Sequence, residues 1–107
     1  MKVSVFAIAL SLLTTLMFVP AKNGMSANPP RPSAQLYQTY CASCHSGGWQ
    51  GAPVANDKSE WAPRLAKGFE AMFKNAKVGV GGMPPMGTCM DCTDEEFTAV
   101  IKEMIEF

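Results

Sequence analysis

Apolar positions along this chain are grouped in two different ways. From Val3 to Val19 they form an almost unbroken run, interrupted only by Ser4, Ser11, Thr14 and Thr15 and closed by Pro20. Beyond residue 33 they recur every three or four positions, the mark of helices with one buried face. Leu36, Tyr37, Tyr40, Cys41 and Cys44 have this spacing, with Ser33 as N-cap, and predict a helix over 34–44. Phe69, Met72, Phe73 and Ala76 predict another between Gly68 and Val78. A third is announced by Thr93 and Glu96, spaced as a capping box, with Asp94 and Glu95 at the positive end of the helix dipole. Phe97, Val100, Ile101, Met104 and Ile105 form its apolar stripe. A shorter helix is predicted over 59–66, with Pro63 in its first turn. Gly47, Gly48, Gly51 and Pro53 mark one loop; Gly79, Gly81, Gly82, Pro84, Pro85 and Gly87 mark a second. No segment alternates with a period of two, so the expected fold class is all-α, with about four helices.

The first apolar run belongs to a different category. One lysine precedes it and small residues follow, the layout of a secretory signal peptide over residues 1–27, with cleavage after Ala21 or Ala27. A retained run would be at the short edge of what crosses a bilayer. Asn28-Pro29-Pro30-Arg31-Pro32 then reads as part of an extended entry segment, 28–33, because its prolines forbid a helix interior. The remaining residues, 34–107, form one domain. So small a core needs a staple, a metal or a cofactor. Export implies a periplasmic location, with a membrane anchor only if the N-terminal segment stays attached, and a compartment where thiols oxidise.

Composition narrows the function classes. Of 107 residues, 48% are hydrophobic and 17% charged, which excludes wholesale disorder. Nine basic residues balance nine acidic ones, without the positive excess of a nucleic-acid binder. Losing residues 1–27 removes Lys2 and Lys22 and leaves a slight acidic excess. It is concentrated in Asp91, Asp94, Glu95, Glu96, Glu103 and Glu106, against which residues 89–107 offer only Lys102.

The chemistry rests on four cysteines and the single histidine. Cys41-Ala42-Ser43-Cys44-His45 is a C-x-x-C-H motif, the attachment pattern of c-type haem. On one helical turn two thiols reach the two vinyl groups, and the adjacent imidazole turns towards the iron. A zinc site built from Cys41, Cys44, Cys89 and Cys92 would need an unusually long interval between its pairs and would leave His45 without a task. A thioredoxin-like dithiol expects a βαβ setting that is missing. Without a second histidine, methionine is the natural sixth ligand. Met72 and Met104 lie on apolar stripes and read as core. Met83, in Gly81-Gly82-Met83-Pro84-Pro85, is favoured because glycines permit close approach and prolines stiffen the loop. Met86 is the alternative, otherwise a surface or haem-edge residue. Pro53 is the candidate carbonyl for the second imidazole nitrogen. The aromatic residues Tyr37, Tyr40, Trp49, Phe69 and Phe73 read as packing.

These motifs, with Gly51-Ala52-Pro53, Trp61-Ala62-Pro63-Arg64 and the run from Met83 through Cys92 into Thr93-Asp94-Glu95-Glu96, resemble the cytochrome c5 family of small class I c-type cytochromes. The resemblance extends from about residue 34 to the C-terminus. It implies a small cytochrome c fold around one covalently attached haem c, thioethers at Cys41 and Cys44, iron ligands His45 and Met83, and a Cys89–Cys92 disulfide. Trp61 and Arg64 are candidates to hydrogen-bond a haem propionate, with core packing the equal alternative for Trp61 and a solvated surface charge for Arg64. The family commonly carries a basic residue where this chain has Met86. The Cys89–Cys92 pair is read as structural, since Asp91, Asp94, Glu95 and Glu96 oppose a reactive thiolate.

The expected function is that of an electron carrier, not an enzyme: single electrons pass between respiratory donor and acceptor proteins in brief encounters. Nucleic acid is not a partner, and a membrane is met only through partners or an uncleaved N-terminal segment. The alternatives are a haem enzyme or gas sensor with an open sixth site, and a cytochrome subunit of a larger oxidoreductase.

Overall fold

A computed structural model describes residues 28–107. The signal segment expected over 1–27 lies outside the described residues. Among the described residues there is no β-strand, only an isolated bridge between Val80 and Met83. No described helix is long and apolar enough to cross a membrane.

The first helical stretch is built in three pieces: α1 (Ser33–Leu36), a π-helical turn (Tyr37–Cys41) and α2 (Ala42–His45). Regular α-helix was the expectation for this stretch. Thr39 Oγ1 instead donates to the Gln35 carbonyl at 2.8 Å, a back-bond of the type that competes with the helical ladder. The wider turn changes the register just before Cys41. Ser33 is not the N-cap: Pro32 holds that position, without a side-chain cap, and its carbonyl receives the Gln35 and Leu36 amides.

Helix α3 (Lys58–Leu65) begins one residue before the predicted span because Asp57 caps it, accepting from the amides of Ser59 and Glu60. Pro63 therefore lies inside the helix rather than in its first turn, and withholds the N–H that the Ser59 carbonyl would receive. Helix α4 (Phe69–Val78) and helix α5 (Asp94–Met104) follow the predicted periodicity closely. The Thr93/Glu96 capping box is present in both directions. Helix α5 is the spine of the core: Phe97, Val100, Ile101 and Met104 are all buried, and α1 packs against it. Phe97 meets Phe73 of α4 edge-on, ring centroids 5.6 Å apart.

The entry segment is more than an extended lead. Arg31 forks onto the start of α5: its Nε and Nη2 donate to the two oxygens of Glu96 at 3.0 and 2.8 Å, and its backbone amide donates to Glu96 as well. Nη1 pairs with Asp91 at 3.0 Å. Lys77 pairs with Asp94. The acidic C-terminal region is thus partly neutralised by cations distant in sequence.

Candidate functional site

Helices α2, α3, α4 and α5 and the two glycine-rich loops enclose a cavity of about 500 Å³, with a neighbouring pocket of about 120 Å³. The larger volume is within the range of cofactor sites. Its walls are mainly apolar, including Phe97, Ile101, Met104, Met72 and Ala76. Residues of the C-x-x-C-H motif line both spaces: Cys41 and His45 face the two of them, and Cys44 the smaller. Both thiols are free; Cys41 is buried and Cys44 half-buried. Burial, with Cys44 beside it, pushes the Cys41 thiol up to about 11. Such a thiol stays neutral, contrary to the thiolate that a reactive dithiol needs. Cys89 and Cys92 are joined to each other in a disulfide, their Cα atoms 5.4 Å apart. They are therefore not available as thiolate partners for Cys41 and Cys44.

His45 is the best-defined group in the site. Its Nδ1 lies 2.8 Å from the Pro53 carbonyl oxygen. A carbonyl can only accept, so Nδ1 carries a proton; in the neutral ring the lone pair then lies at Nε2. The chain segment is further tied by Ala55 N donating to the His45 carbonyl at 2.7 Å. Trp61, buried on α3, stacks along the imidazole with ring centroids 5.8 Å apart and planes 18° from parallel. Its Nε1 donates to the Val54 carbonyl at 2.8 Å. That N–H is engaged by the protein, and of the two roles expected for Trp61 the contacts present are those of packing, against His45. Arg64 lines the cavity and turns Nη1 back to the Glu60 carbonyl at 2.6 Å.

The methionines separate clearly. Met83 lines both the cavity and the smaller pocket. Its backbone is held to Val80 by reciprocal hydrogen bonds of 2.9 and 3.1 Å. Gly79 permits that turn: φ is +91°, and a Cβ there would stand 3.1 Å from the Met83 carbonyl. Gln50 packs over Gly82, where a Cβ would stand 2.9 Å from Gln50 Oε1, so the two loops close against each other at the mouth. Met86 is neither at the surface nor at the cavity wall. It is buried in the core, a correction to the surface or haem-edge expectation, because its own φ of 57° turns the side chain inward. Met90 is exposed, whereas Met72 and Met104 are buried and contribute to the cavity wall.

The chain matches the family model described as cytochrome C oxidase, cbb3-type, subunit III, over residues 28–102. It is 40% identical to a cytochrome c5 of Azotobacter vinelandii over 76 residues, covering 69% of this chain and 92% of that one. Identity to the cytochrome c5 of Ectopseudomonas mendocina is 34%, over 69% of this chain and 87% of the relative. The chain belongs to the cytochrome c5 family. Solved structures agree. A mono-haem ferrocytochrome c from Shewanella putrefaciens superposes with a TM-score of 0.64 at 42% identity, covering 72% of this chain and 95% of that one. A chain in the crystal structure of an electron transfer complex of nitrite reductase with cytochrome c gives 0.65 at 33% identity, over 73% and 96% of the two chains.

As a c5-type cytochrome, the protein is a monohaem electron carrier whose cofactor is one covalently attached haem c. The residues present fit that group: an apolar cavity, two free thiols beside it, and an imidazole at the cavity wall whose Nδ1–H is held by the Pro53 carbonyl. Sequence reasoning missed the Arg31 fork and the part played by Glu60, whose Oε2 accepts from Val54 N at 2.8 Å. For Arg31 the only signal was a lone cation within a proline cluster. For Glu60 there was none, because its partner is a backbone amide in a loop.

Proposed function

We propose that this c5-type cytochrome binds its haem through thioethers at Cys41 and Cys44, with His45 and Met83 as iron ligands, and moves single electrons between respiratory proteins outside the cytoplasm. Residues 1–27 serve as the export signal, and residues 34–107 constitute the electron-carrying domain. The observation that carries the ligand assignment is the Nδ1–H···O=C bond from His45 to Pro53, which leaves Nε2 as a free donor beside the cavity. Met83 is supported by its position at both cavity walls, where buried Met86 contributes to neither.

When bound, the haem supplies one-electron redox chemistry. His45 and Met83 would hold the iron, and the apolar cavity wall with the two loops packed at Gln50 and Gly82 would limit water at the site. Met/His ligation favours a raised potential. His45 and Met83 would together hold the iron and leave no open site on it, which favours a carrier over an enzyme or gas sensor. The nitrite reductase complex of a structural relative supports transient docking to a larger redox protein. The family model's description, naming an oxidase subunit, favours a second reading in which the same domain is a bound subunit.

The oxidised optical spectrum tests the ligand set. We expect the weak far-red band of a methionine–ferric bond. Met83→Ala should abolish it and open the reduced protein to carbon monoxide, while Met86→Ala retains the band and loses about 2–5 kcal/mol of stability as a core truncation. Loss of the band only in Met86→Ala would reverse the assignment.

A further inference from the structure

A single peptide unit stands between His45 and a carboxylate. The Pro53–Val54 peptide offers its carbonyl to His45 Nδ1 at 2.8 Å and its N–H to Glu60 Oε2 at 2.8 Å. The bond is trans, so its two polar groups point to opposite sides, one to the imidazole and the other to the carboxylate. The next carbonyl, that of Val54, accepts from Trp61 Nε1. Glu60 and Trp61 are consecutive on α3, so one helical turn holds both backbone polar atoms of Val54. Capping leaves the Glu60 carboxylate free for this, because Asp57 caps α3.

An amide polarises as a unit. A negative group accepting from its N–H moves electron density towards its oxygen and strengthens that oxygen as an acceptor. A stronger acceptor on Nδ1–H makes the imidazole a better donor at Nε2, the effect that a carboxylate in direct contact with a ligand histidine exerts. We propose that Glu60 is a positioning residue for His45: through the Pro53–Val54 peptide its carboxylate orients the imidazole and raises its donor strength, favouring ferric over ferrous iron. This rests on the ligation by His45 proposed above. The Trp61 face fixes the ring plane, and Glu60 sets the charge felt at Nδ1.

The test is Glu60→Gln in the haem-loaded protein, which keeps an acceptor for Val54 N–H and removes the charge. The ferrous-to-ferric preference should rise roughly twofold to fivefold. That is an upward shift in midpoint potential of about 20–40 mV, at 59 mV per tenfold for one electron. The His45 Nδ1–H proton resonance should move upfield as its hydrogen bond weakens. Potentials are measured at low salt and at about 1 M, where through-space effects between exposed charges are screened. A shift that survives high salt, with the moved proton resonance, supports the relay. A shift that vanishes at high salt, or an unmoved Nδ1–H, overturns it. Iron-shifted His45 ring resonances in the unsubstituted protein check the ligation itself. Their absence overturns both readings, whereas their presence with an unmoved potential overturns the relay alone.

Discussion

Replacing Cys89 and Cys92 together by alanine isolates the contribution of the smallest covalent ring in the protein. The bridge joins residues at a sequence separation of 3. Chain-entropy arithmetic for a ring of this size gives about 2 kcal/mol at 25 °C, less than half of what a hundred-residue loop would contribute. In a domain of this length each kcal/mol moves the melting temperature by about 4–8 °C, so the double variant should melt roughly 8–16 °C lower. The bridge sits between the 85–88 turn and the cap of α5, away from the cavity wall, and the far-red band should therefore survive. Thermal unfolding of the haem-loaded protein, followed by circular dichroism, measures the first quantity and the oxidised spectrum the second. Chemical reduction of the unsubstituted protein should reproduce the same fall. A drop below about 3 °C would refute the loop-closure reasoning. Loss of the far-red band at temperatures where the helices remain would refute the structural assignment of the bridge.

Two further outcomes follow from the contacts around the site. The Arg31 guanidinium, with two backbone amides, holds the Glu96 carboxyl down at about 2. Its stabilising effect is therefore complete above the ordinary glutamate range near pH 4.5 and is lost as pH falls towards 2; Arg31→Ala should return the Glu96 carboxyl NMR titration towards the ordinary value and move acid unfolding to higher pH, and an ordinary titration in the unsubstituted protein would contradict this. Trp61→Phe keeps a ring against His45 but leaves the Val54 carbonyl without its donor, a loss of about 1–3 kcal/mol visible as a lower urea midpoint at unchanged slope; an unmoved midpoint would show that the indole N–H contributes nothing there.

Much of the fold was legible because its helices announce themselves by period and cap. The Phe97–Met104 stripe and the Thr93/Glu96 box are local patterns, and α5 appears where they predict it. The haem motif was equally local, five consecutive residues on one turn. What escaped depended on tertiary partners. Ser33 had the chemistry of a cap, yet Pro32 began the turn, since its fixed φ already suits a helix entrance. The π-turn over Tyr37–Cys41, where the Thr39 hydroxyl bonds the Gln35 carbonyl, has no counterpart in the apolar spacing. Glu60 and Arg31 act across intervals of 6 and 65 residues, and neither interval leaves a trace in hydrophobic periodicity. Trp61 was recognised as part of the site with packing and a polar bond both open, because a loop carbonyl that takes its N–H is invisible in sequence.

Met86, Gly87 and Thr88 all have positive φ, 57°, 56° and 72°. A left-handed stretch with two side-chain-bearing residues costs on the order of 1–2 kcal/mol per such residue and exists only while the surrounding packing enforces it. Its consequence concerns folding with an iron already attached. An unfolded chain offers Met83 and Met86 as nearly equivalent sulfurs, three positions apart. Once the left-handed turn closes, one is committed to the core and the other to the cavity, and exchanging them means reversing the hand of the backbone. On the ligation proposed above, the turn would therefore tell the two sulfurs apart, since an iron held by Met86 would keep that side chain out of the core.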